Sequence, residues 1–441
     1  MFLEQIIIYS IVLLFCGLVV FFYLWKQKKA SSIVEAKIEK AKQEGLNEPV
    51  SLHPVIDLNT CIKSGACVEV CPEKDILGIL KGAGTLINAS NCVGHGACFH
   101  ACPVEAISLV IGTEKRGVDL PHVNQQYESN VEGIYIAGEL GGMGLIKNSV
   151  EQGQQAVENI VKSGLKKDEA AYDLVIVGAG PAGISASLTA KKHGLKFLTL
   201  EQDSLGGTVF NFPRSKIVMT APMDLPLYGK VKLFDTSKTE LLELWREALS
   251  KNEITIRERT KVEGIHVDGN RFKILTNKGE EFRTQTVLLA IGRRGSPRKL
   301  GVPGETLEKV AYRLLEPEMI ADKKVMVVGG GDSAIEAAMS LAEQNEVIIS
   351  YRSESFSRLK PKNRDRLNEL LKQGKLKVFY NSNLLKIDNE HVQIKIGDGQ
   401  HEQLENDLVY IFAGGELPTQ FLQKAGVLIT KRFGYTMRKY A

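Results

Sequence analysis

The stretch Asp173-Leu-Val-Ile-Val-Gly178-Ala-Gly180-Pro-Ala-Gly183 decides the fold of the larger part of this 441-residue chain. It reads as an apolar strand, a G-x-G-x-x-G turn and the start of an apolar helix, and the next apolar strand, residues 196–200, ends at Glu201. Glycines in this pattern allow a tight turn and close approach of the backbone to a pyrophosphate, and the acid binds a ribose. The sequence therefore predicts a dinucleotide site made by Gly178, Gly180, Ala182, Gly183 and Glu201.

A second module of the same kind follows, in which Gly329, Gly331 and Ala334 form a G-x-G-x-x-A turn after an apolar strand. The next strand, residues 346–350, ends without an acid and continues into a segment with Arg352, Arg358 and several hydroxyl groups. Basic groups at this place suit the 2′-phosphate of NADPH. We therefore expect NADPH, with NADH left open, and the alternative is that both arginines belong to a solvated loop.

Two cysteine runs repeat one spacing: Cys61-Ile-Lys-Ser64-Gly-Ala-Cys67-Val-Glu-Val-Cys71-Pro72 and Cys92-Val-Gly-His95-Gly-Ala-Cys98-Phe-His-Ala-Cys102-Pro103. Each matches the bacterial ferredoxin run C-x2-C-x2-C-x3-C-P, except that Ser64 and His95 replace the second cysteine. In that motif the fourth cysteine ligates the other cluster. Crossed ligation therefore assigns Cys61, Cys67 and Cys102 to one cluster and Cys92, Cys98 and Cys71 to the other.

The missing ligands leave several possibilities open. Ser64 or His95 ligates the fourth iron, or that iron is absent and a [3Fe-4S] cluster forms, or the module has lost one cluster. Disulfide pairing, or no cluster at all, are the structural alternatives. We expect two clusters, [4Fe-4S] or [3Fe-4S], of which at least one has non-standard ligation, since the duplicated spacing has no other evident purpose.

Residues 6–25 carry no charge and are long enough to cross the hydrocarbon core of a bilayer. Lys26, Lys28 and Lys29 follow this run, so the positive-inside rule places the remaining chain in the cytoplasm. A buried core helix or a cleaved leader is the alternative. A second, exposed helix is predicted over residues 31–45, beginning at the capping box formed by Ser32 and Glu35. The net charge of +4 is too small to indicate nucleic acid.

These glycine motifs resemble the two-dinucleotide-binding-domain flavoproteins, in particular their thioredoxin-reductase-like branch, and the resemblance extends over residues 112–441. It implies an FAD domain interrupted by an NAD(P)H domain, with residues 286–292 matching the A-T-G segment at the crossover and residues 408–418 the returning strand. Further FAD contacts are implied at Gly206, Gly207 and Gly292. Members of this branch are often homodimers, so the resemblance leaves a homodimer open.

The family's closing FAD element, a strand ending in G-D, is missing after Pro418 and is instead similar to Val131-Glu-Gly-Ile-Tyr-Ile-Ala-Gly138-Glu139. The chain thus resembles a circularly permuted member, in which Gly138 and Glu139 contact the flavin. The alternative is that residues 112–165 are an appendage of the cysteine module. The redox dithiol of thioredoxin reductases has no counterpart at 310–321, and Ala182 stands where single-cysteine relatives have a thiol. Dithiol reduction by the flavin domain is therefore not expected, because disulfide exchange requires a thiolate.

The predicted fold class is α/β: two Rossmann-like domains, a small α+β dicluster ferredoxin domain and an N-terminal transmembrane helix. The predicted segments are a transmembrane anchor (1–29), a helical linker (30–50), a dicluster ferredoxin-like domain (51–111), a permuted C-terminal segment of the FAD domain (112–168), the FAD-binding domain (169–300), the NAD(P)H-binding domain (301–412) and a segment returning to the FAD domain (413–441).

The predicted function is that of a single-pass enzyme of the cytoplasmic membrane, passing electrons between NAD(P)H, FAD and iron–sulfur clusters to a redox partner. That partner is membrane-associated or a ferredoxin-like carrier, and no catalytic acid or base is identified. Two other hypotheses stay open: a non-catalytic electron-wiring or sensor subunit, and a flavin reductase of an unknown small substrate.

Overall fold

The computed structural model describes residues 2–43, 46–49, 52–73, 75–142, 144–165, 172–212, 217–220, 222–233, 235–293, 297–356, 359–415 and 418–438. Its helices are α1 (Phe2–Gln43), α2 (Ala66–Glu69), α3 (Ala97–His100), α4 (Ile146–Lys162), α5 (Pro181–Lys192), α6 (Lys238–Lys251), α7 (Asp332–Leu341), α8 (Pro361–Lys372) and α9 (Thr419–Lys424). Single 3-10 turns lie at Ala89–Asn91, Glu139–Gly141 and Pro317–Met319.

The strands, in chain order, are β1 (His53–Ile56), β2 (Leu77–Leu80), β3 (Ala83–Leu86), β4 (Ile107–Ile111), β5 (Val118–Pro121), β6 (Ile134–Ile136), β7 (Tyr172–Val177), β8 (Phe197–Leu200), β9 (Ile217–Met219), β10 (Met223–Leu225), β11 (Gly229–Val231), β12 (Asp235–Ser237), β13 (Val262–Asp268), β14 (Arg271–Thr276), β15 (Glu281–Leu289), β16 (Val310–Ala311), β17 (Lys324–Val328), β18 (Glu346–Ser350), β19 (Leu376–Phe379), β20 (Ser382–Ile387), β21 (His391–Ile396), β22 (Gln400–Glu405), β23 (Leu408–Ile411), β24 (Ile429–Arg432) and β25 (Tyr435–Arg438). The chain forms two compact units: Met1–Val118 with Arg432–Ala441, and Asp119–Lys431.

The N-terminal helix α1 is continuous where the sequence predicts an anchor followed by a separate linker helix. The predicted capping box at Ser32 and Glu35 lies inside α1, and the predicted stop at Gly45 is outside the described residues. The reason is that residues 26–43 contain no glycine or proline and are rich in lysine, alanine and glutamate, which favour helix. Within the described part of the chain, α1 is the one helix long and apolar enough to span a membrane, and the mean hydropathy of its apolar 18-residue window is 2.7.

In the smaller unit, an antiparallel sheet has the order β1-β4-β25, and β2 and β3 form a hairpin. The chain end differs from the prediction for residues 413–441, because β25 pairs with β4 through Thr436 and Val110. Residues 432–441 therefore belong to the cysteine-containing unit. The duplication is visible in the backbone: Gly65 and Gly96, at equivalent positions of the two cysteine runs, precede α2 and α3 with φ of 76° and 72°.

In the larger unit, one sheet has the order β13-β14-β15-β7-β8, with β6 also paired to β15. Strands β6 and β7 both run parallel to β15. Helix α4 packs on α5, where the Ser185 hydroxyl donates to the Val150 carbonyl at 2.7 Å. Residues 134–162 thus share the sheet and the helical layer of residues 172–200, which is the arrangement that a permuted order of the FAD segments requires.

The second large sheet, β16-β23-β17-β18-β19, is parallel and is accompanied by the antiparallel β20-β21-β22. Its apolar strands are covered by α7 and α8, whose buried residues include Ile335, Leu341 and Leu367. Two-stranded sheets join β9 to β12, β10 to β11 and β5 to β24. Parallel strands need helical crossovers, so the parallel strands of both large sheets are joined through helices, as in nucleotide-binding α/β folds. The two glycine loops lie at the ends of these strands.

The contact between α4 and α5 leads to a stability prediction for Gly153→Ala. A β-carbon at Gly153 would lie 2.1 Å from the carbonyl oxygen of Ala182. Alanine normally stabilises a helix relative to glycine by about 1 kcal/mol, but overpacking here should destabilise the unit by about 1–3 kcal/mol. Denaturant unfolding followed by circular dichroism measures the change. Lys162→Ala, on the exposed end of α4, is the control, and equal stability of the two variants would contradict the α4–α5 contact.

Candidate functional site

The first glycine loop connects β7 to α5 and is shaped by steric limits at two of its glycines. Gly178 has φ of 105°, and a β-carbon at Gly183 would lie 1.9 Å from the Gly178 carbonyl oxygen. By contrast, a β-carbon at Gly180 would meet no protein atom within 4 Å, and α5 begins at the next residue. Gly178 and Gly183 therefore close the turn, while Gly180 leaves open space at the helix N-terminus, where a pyrophosphate binds in such folds.

The acid predicted to bind ribose, Glu201, follows β8 and is only 5% exposed. One carboxylate oxygen accepts the Ala179 amide at 2.7 Å, and the other accepts the Asp203 amide at 2.9 Å. Burial raises the pKa of Glu201, and these two amide donors oppose that shift. Each carboxylate oxygen has two lone pairs, so both retain the capacity to accept a ribose hydroxyl.

The permuted segment brings Gly138 to this loop. The Gly138 amide donates to Oε1 of Gln152 at 2.8 Å, and its φ of 84° favours glycine. A β-carbon at Gly138 would lie 3.2 Å from that of Ala182, a buried residue of the first loop. Glu139 begins the adjoining 3-10 turn. The structure therefore places Gly138 and Glu139 beside the first glycine loop, although α4 and β7 lie between them and that loop in the chain.

The other residues predicted to contact FAD border the same loop. The Gly206 amide donates to the Ala179 carbonyl at 2.9 Å, and a β-carbon at Gly207 would lie 3.3 Å from Cα of Gly180. Gly292, with φ of 66°, follows Ala290, whose carbonyl oxygen would lie 2.5 Å from a β-carbon at Gly178. An open helix N-terminus, a buried acid with spare acceptor capacity and a glycine-lined rim together fit an FAD. The individual roles of these residues remain predictions.

Arg293 is a charged residue near this site that the sequence reasoning missed. It follows Gly292 directly and is half-buried, and burial lowers its pKa, while Glu139 and Asp119 are the acids close enough to oppose that shift. A partly buried guanidinium beside Glu139 balances the charge of that carboxylate. Arg293 could have been identified from the sequence because it comes immediately after the crossover segment, residues 286–292.

The second glycine loop connects β17 to α7 in a similar way. Gly329 has φ of 139°, and a β-carbon there would lie 2.5 Å from the Phe412 carbonyl oxygen, whereas one at Gly331 would meet no atom within 4 Å. Ala334 is buried at the start of α7. Arg352 is exposed beyond β18, and Arg358 is outside the described residues. The loop fits a second dinucleotide, with Gly331 at the open helix end.

Aromatic side chains beside the second loop were not predicted. The ring of Tyr351 lies over Gly330, where a β-carbon would come 2.2 Å from a ring atom. Tyr351 stacks on Phe356 with centroids 4.9 Å apart, and Phe356 lies 5.3 Å from Tyr380. The ring of Tyr351 thus requires glycine at position 330. The only hint of this in the sequence is that three glycines follow one another at positions 329–331.

The smaller unit brings together the three cysteines that crossed ligation assigns to one cluster, here called cluster site I. Burial raises the pKa of the Cys67 thiol, and the neighbouring thiolates of Cys61 and Cys102 raise it further. The same three residues line one pocket together with Ser64 and Ile79. The Ala106 amide donates to the Cys102 sulfur at 3.3 Å.

Cys92, Cys98 and Cys71 form the other set, here called cluster site II. Burial raises the pKa of Cys92 to about 11, with the Cys71 thiolate adding to the shift. Burial raises the pKa of Cys98 to about 12, the thiolates of Cys92 and Cys71 add to it, and Cys67 of site I adds less. In each set, two cysteines therefore come from one run and the third comes from the other run.

Neighbouring thiols that are buried or partly buried fit iron–sulfur clusters, because cluster iron supplies the positive charge that makes them thiolates. Among the described residues no three acids, histidines or cysteines converge on one metal ion. That is compatible with a cluster, in which each cysteine binds a different iron. The crossed arrangement of the thiols fits clusters, and the cluster type stays open.

The two residues at the missing ligand positions have different surroundings. Ser64 is exposed and lines the pocket of site I, whereas His95 is partly buried. The residue before Ser64, Lys63, has φ of 67°, which matches φ of 77° at Gly94 in the second run. The two loops thus share one backbone shape, but Ser64 is exposed to solvent and His95 is partly buried.

This difference predicts the outcome of Ser64→Cys. Because the fourth corner of site I is exposed and has only a serine, we expect it to lack its iron in the wild type. Ser64→Cys should raise the iron content by about one per chain and remove the signal of a three-iron cluster from the oxidised protein. Iron analysis and EPR measure both. His95→Cys is the matched variant, expected to leave that signal in place; if His95→Cys removes it instead, the assignment to site I is wrong.

Comparisons with known proteins agree with this geometry. The profile of the pyridine nucleotide-disulphide oxidoreductases matches residues 175–438, and that of a 4Fe-4S dicluster domain matches residues 53–103. The chain is 32% identical over 247 residues to a ferredoxin–NADP reductase of Picrophilus torridus, covering 54% of this chain and 69% of the relative. It is 28% identical over 266 residues to the bacilliredoxin reductase Bdr of Bacillus subtilis, covering 59% and 82%.

Among solved structures, a bacillithiol disulfide reductase of Bacillus cereus has a TM-score of 0.53 at 24% identity, covering 61% of this chain and 86% of that one, and shows the shared fold. The family implies FAD and NADP binding, and the dicluster domain implies iron–sulfur clusters. The expected resemblance and the expected enzyme class are thereby confirmed. The chain belongs to the pyridine nucleotide-disulphide oxidoreductase family, as a thioredoxin-reductase-like flavin enzyme fused to a dicluster ferredoxin module.

Proposed function

We propose that this protein is a membrane-anchored oxidoreductase that moves electrons between NADPH, FAD and two iron–sulfur clusters, and exchanges them with a redox partner at the membrane or a ferredoxin-like carrier. The observation that carries the proposal is the distribution of thiols. Six cysteines lie in the two crossed sets of the smaller unit, and none follows Cys102. The larger unit therefore has nucleotide loops but no thiol to receive electrons.

FAD, when bound, would exchange a hydride with NADPH and single electrons with the clusters. It would thereby connect a two-electron carrier to one-electron carriers. The chain's own residues supply binding and orientation. Gly180 and Gly331 leave the two helix N-termini accessible to phosphates, and Glu201 accepts hydrogen bonds from ribose. The six thiolates hold the clusters. No side chain is required to transfer a proton during hydride exchange.

Membrane anchoring is supported by α1, whose apolar side chains from Ile6 to Trp25 are exposed. Exposed apolar side chains of this number are unfavourable in water and suited to lipid. The lysines at positions 26, 28 and 29 follow directly, which supports a single-pass orientation with both compact units in the cytoplasm.

We further propose that this protein does not reduce disulfides through a thiol of its own. A competing function, reduction of a disulfide directly at the flavin, is favoured by the similarity to a bacilliredoxin reductase. NADPH oxidation with low-molecular-weight disulfides separates the two. We expect no stimulation by disulfides, and stimulation that persists in a cluster-free preparation would favour the competing function.

The direct test uses full-length holoprotein in detergent or nanodiscs without oxygen. NADPH should bleach the flavin absorbance, and EPR signals of reduced clusters should then appear. A flavin that stays oxidised in FAD-loaded protein would refute the proposal, and a flavin that bleaches without cluster reduction would favour the small-substrate reductase.

Arg352 gives a prediction for coenzyme choice. A guanidinium that contacts the 2′-phosphate contributes about 1.5–3 kcal/mol as a charge-assisted hydrogen bond. Arg352→Ala should therefore raise KM for NADPH by roughly tenfold or more and leave KM for NADH unchanged. Steady-state kinetics with both coenzymes measure this. Lys377→Ala, another exposed cation of the same sheet, is the control; equal effects on NADPH and NADH would remove Arg352 from the phosphate site.

A further inference from the structure

The two cluster sites lie at different levels along helix α1, within the smaller unit. At the level nearest the apolar run, the Lys81 amide donates to the Ser31 hydroxyl, and the Lys81 ammonium lies 3.6 Å from Glu35. Lys81 is at the turn of the β2–β3 hairpin. Among the described contacts with α1, those of this hairpin turn lie closest to Trp25.

The hairpin runs away from the apolar segment as it follows α1. Gly78 permits the close approach, since a β-carbon there would lie 3.0 Å from Val34. Lys37 then pairs with Asp75 at 2.5 Å. These contacts continue in order along the helix, so the unit is attached to α1 by a series of contacts rather than by a flexible linker.

Cluster site I lies at the turn of this hairpin. A β-carbon at Gly82 would come 2.8 Å from the Lys63 ammonium nitrogen, so the Lys63 side chain, in the first cysteine loop, covers the turn. A β-carbon at Gly84 would lie 3.6 Å from the Cys67 sulfur. Ile79 of the hairpin lines the same pocket as Ser64. Site I is thus held at the end of the unit nearest the apolar run.

Cluster site II lies at the other end. The Leu46 amide donates to the Ala41 carbonyl at 2.7 Å, and the Ser90 amide donates to the Leu46 carbonyl at 2.9 Å, shortly before Cys92 in the chain. At 1.5 Å per residue, Ser31 is roughly 9 Å and Ala41 roughly 24 Å beyond Trp25 along the helix axis. The second cysteine run is therefore reached from the distal end of α1.

We propose that cluster site I is the membrane-facing site of this protein, and that the hairpin turn with Lys63 and Lys81 rests on an anionic lipid surface. The inference depends on the membrane anchoring proposed above. Exposed lysines at positions 26, 28 and 29 continue the same positive edge, and Ile62, 60% exposed, adds an apolar contact beside Cys61. Lysine side chains near an anionic lipid surface are attracted to it. An acceptor in the bilayer then meets site I before site II.

The test uses full-length protein in nanodiscs that contain anionic lipid and a lipid with a nickel-chelating headgroup. In a Cys16→Ser background, nitroxide labels are placed at Lys81→Cys and at Asn47→Cys, an exposed position near the distal end. A third label at Gln27→Cys reports insertion of α1. Power saturation should show stronger nickel relaxation at position 81 than at 47. Equal relaxation, or stronger relaxation at 47, overturns the proposal while the label at 27 confirms insertion.

A second measurement reads the clusters directly. The site I signal that Ser64→Cys removes is read in oxidised holoprotein, and the site II signal that His95→Cys alters is read in reduced holoprotein. Headgroup nickel should relax the first signal more strongly than the second. The reverse order would place site II at the membrane and overturn the proposal. If the label at position 27 shows no relaxation, the membrane anchoring itself fails, and the inference fails with it.

Discussion

Gly180→Ala is expected to fold like the wild type and to lose FAD. Its backbone φ of −77° is open to alanine, and its β-carbon would meet no protein atom within 4 Å, so the folded chain without flavin gains no clash. The methyl group would instead occupy the space into which a pyrophosphate must come. We expect FAD affinity to fall at least about 100-fold, or roughly 3 kcal/mol. Flavin content after gel filtration and titration with free FAD measure the loss.

Gly331→Ala is the matched variant, because it has the same environment in the second loop, with φ of −91° and no atom near its β-carbon. It should retain FAD, assemble its clusters and lose flavin reduction by NADPH, whereas dithionite should still reduce it. The pair thus separates the two nucleotide sites without unfolding either. If Gly180→Ala retained its flavin and Gly331→Ala lost it, the assignment of FAD to the first loop would be reversed.

Much of this site could be predicted because its determinants are local. Gly178 and Gly183 are imposed by contacts within a short turn, and Glu201 follows the next strand, so a spacing rule identifies them. Crossed cysteine sets follow equally from spacing. Gly138 is different, since the whole of α4 and β7 separates it from the first loop in the chain, and only the resemblance of its strand to a closing FAD element connected the two.

Other features depend on contacts that no local pattern encodes. The strand β25, at the C-terminal end of the chain, pairs with β4 of the N-terminal cysteine module, and nothing in its short sequence indicates which sheet edge it will join. The capping box at Ser32 was a local signal that did not determine the helix start, because residues 18–31 before it contain no glycine or proline. The half-buried Arg293 and the ring of Tyr351 over Gly330 are products of tertiary packing.

Cys71→Ala and Cys102→Ala should each remove one cluster, and the cluster lost should be the one belonging to the other cysteine run. Cys71 is the thiolate that adds to the raised pKa of Cys92 and Cys98, and Cys102 has the same relation to Cys67. Cys71→Ala should therefore abolish the EPR signal that His95→Cys alters, and Cys102→Ala the signal that Ser64→Cys alters. Ligation within each run would produce the opposite pattern, so the experiment has two distinguishable outcomes.

The same variants separate reduction of the flavin from onward transfer of electrons. Both should still bind FAD and bleach with NADPH at the wild-type rate, because every residue of the nucleotide loops lies in the other compact unit. Electron delivery to a one-electron acceptor that docks on the clusters should fall by at least about tenfold in both, since each cluster is a step of the relay. Stopped-flow absorbance measures the first rate and acceptor reduction the second. If acceptor reduction were unchanged in both variants, electrons would leave directly from the flavin, and the cysteine module would serve another purpose.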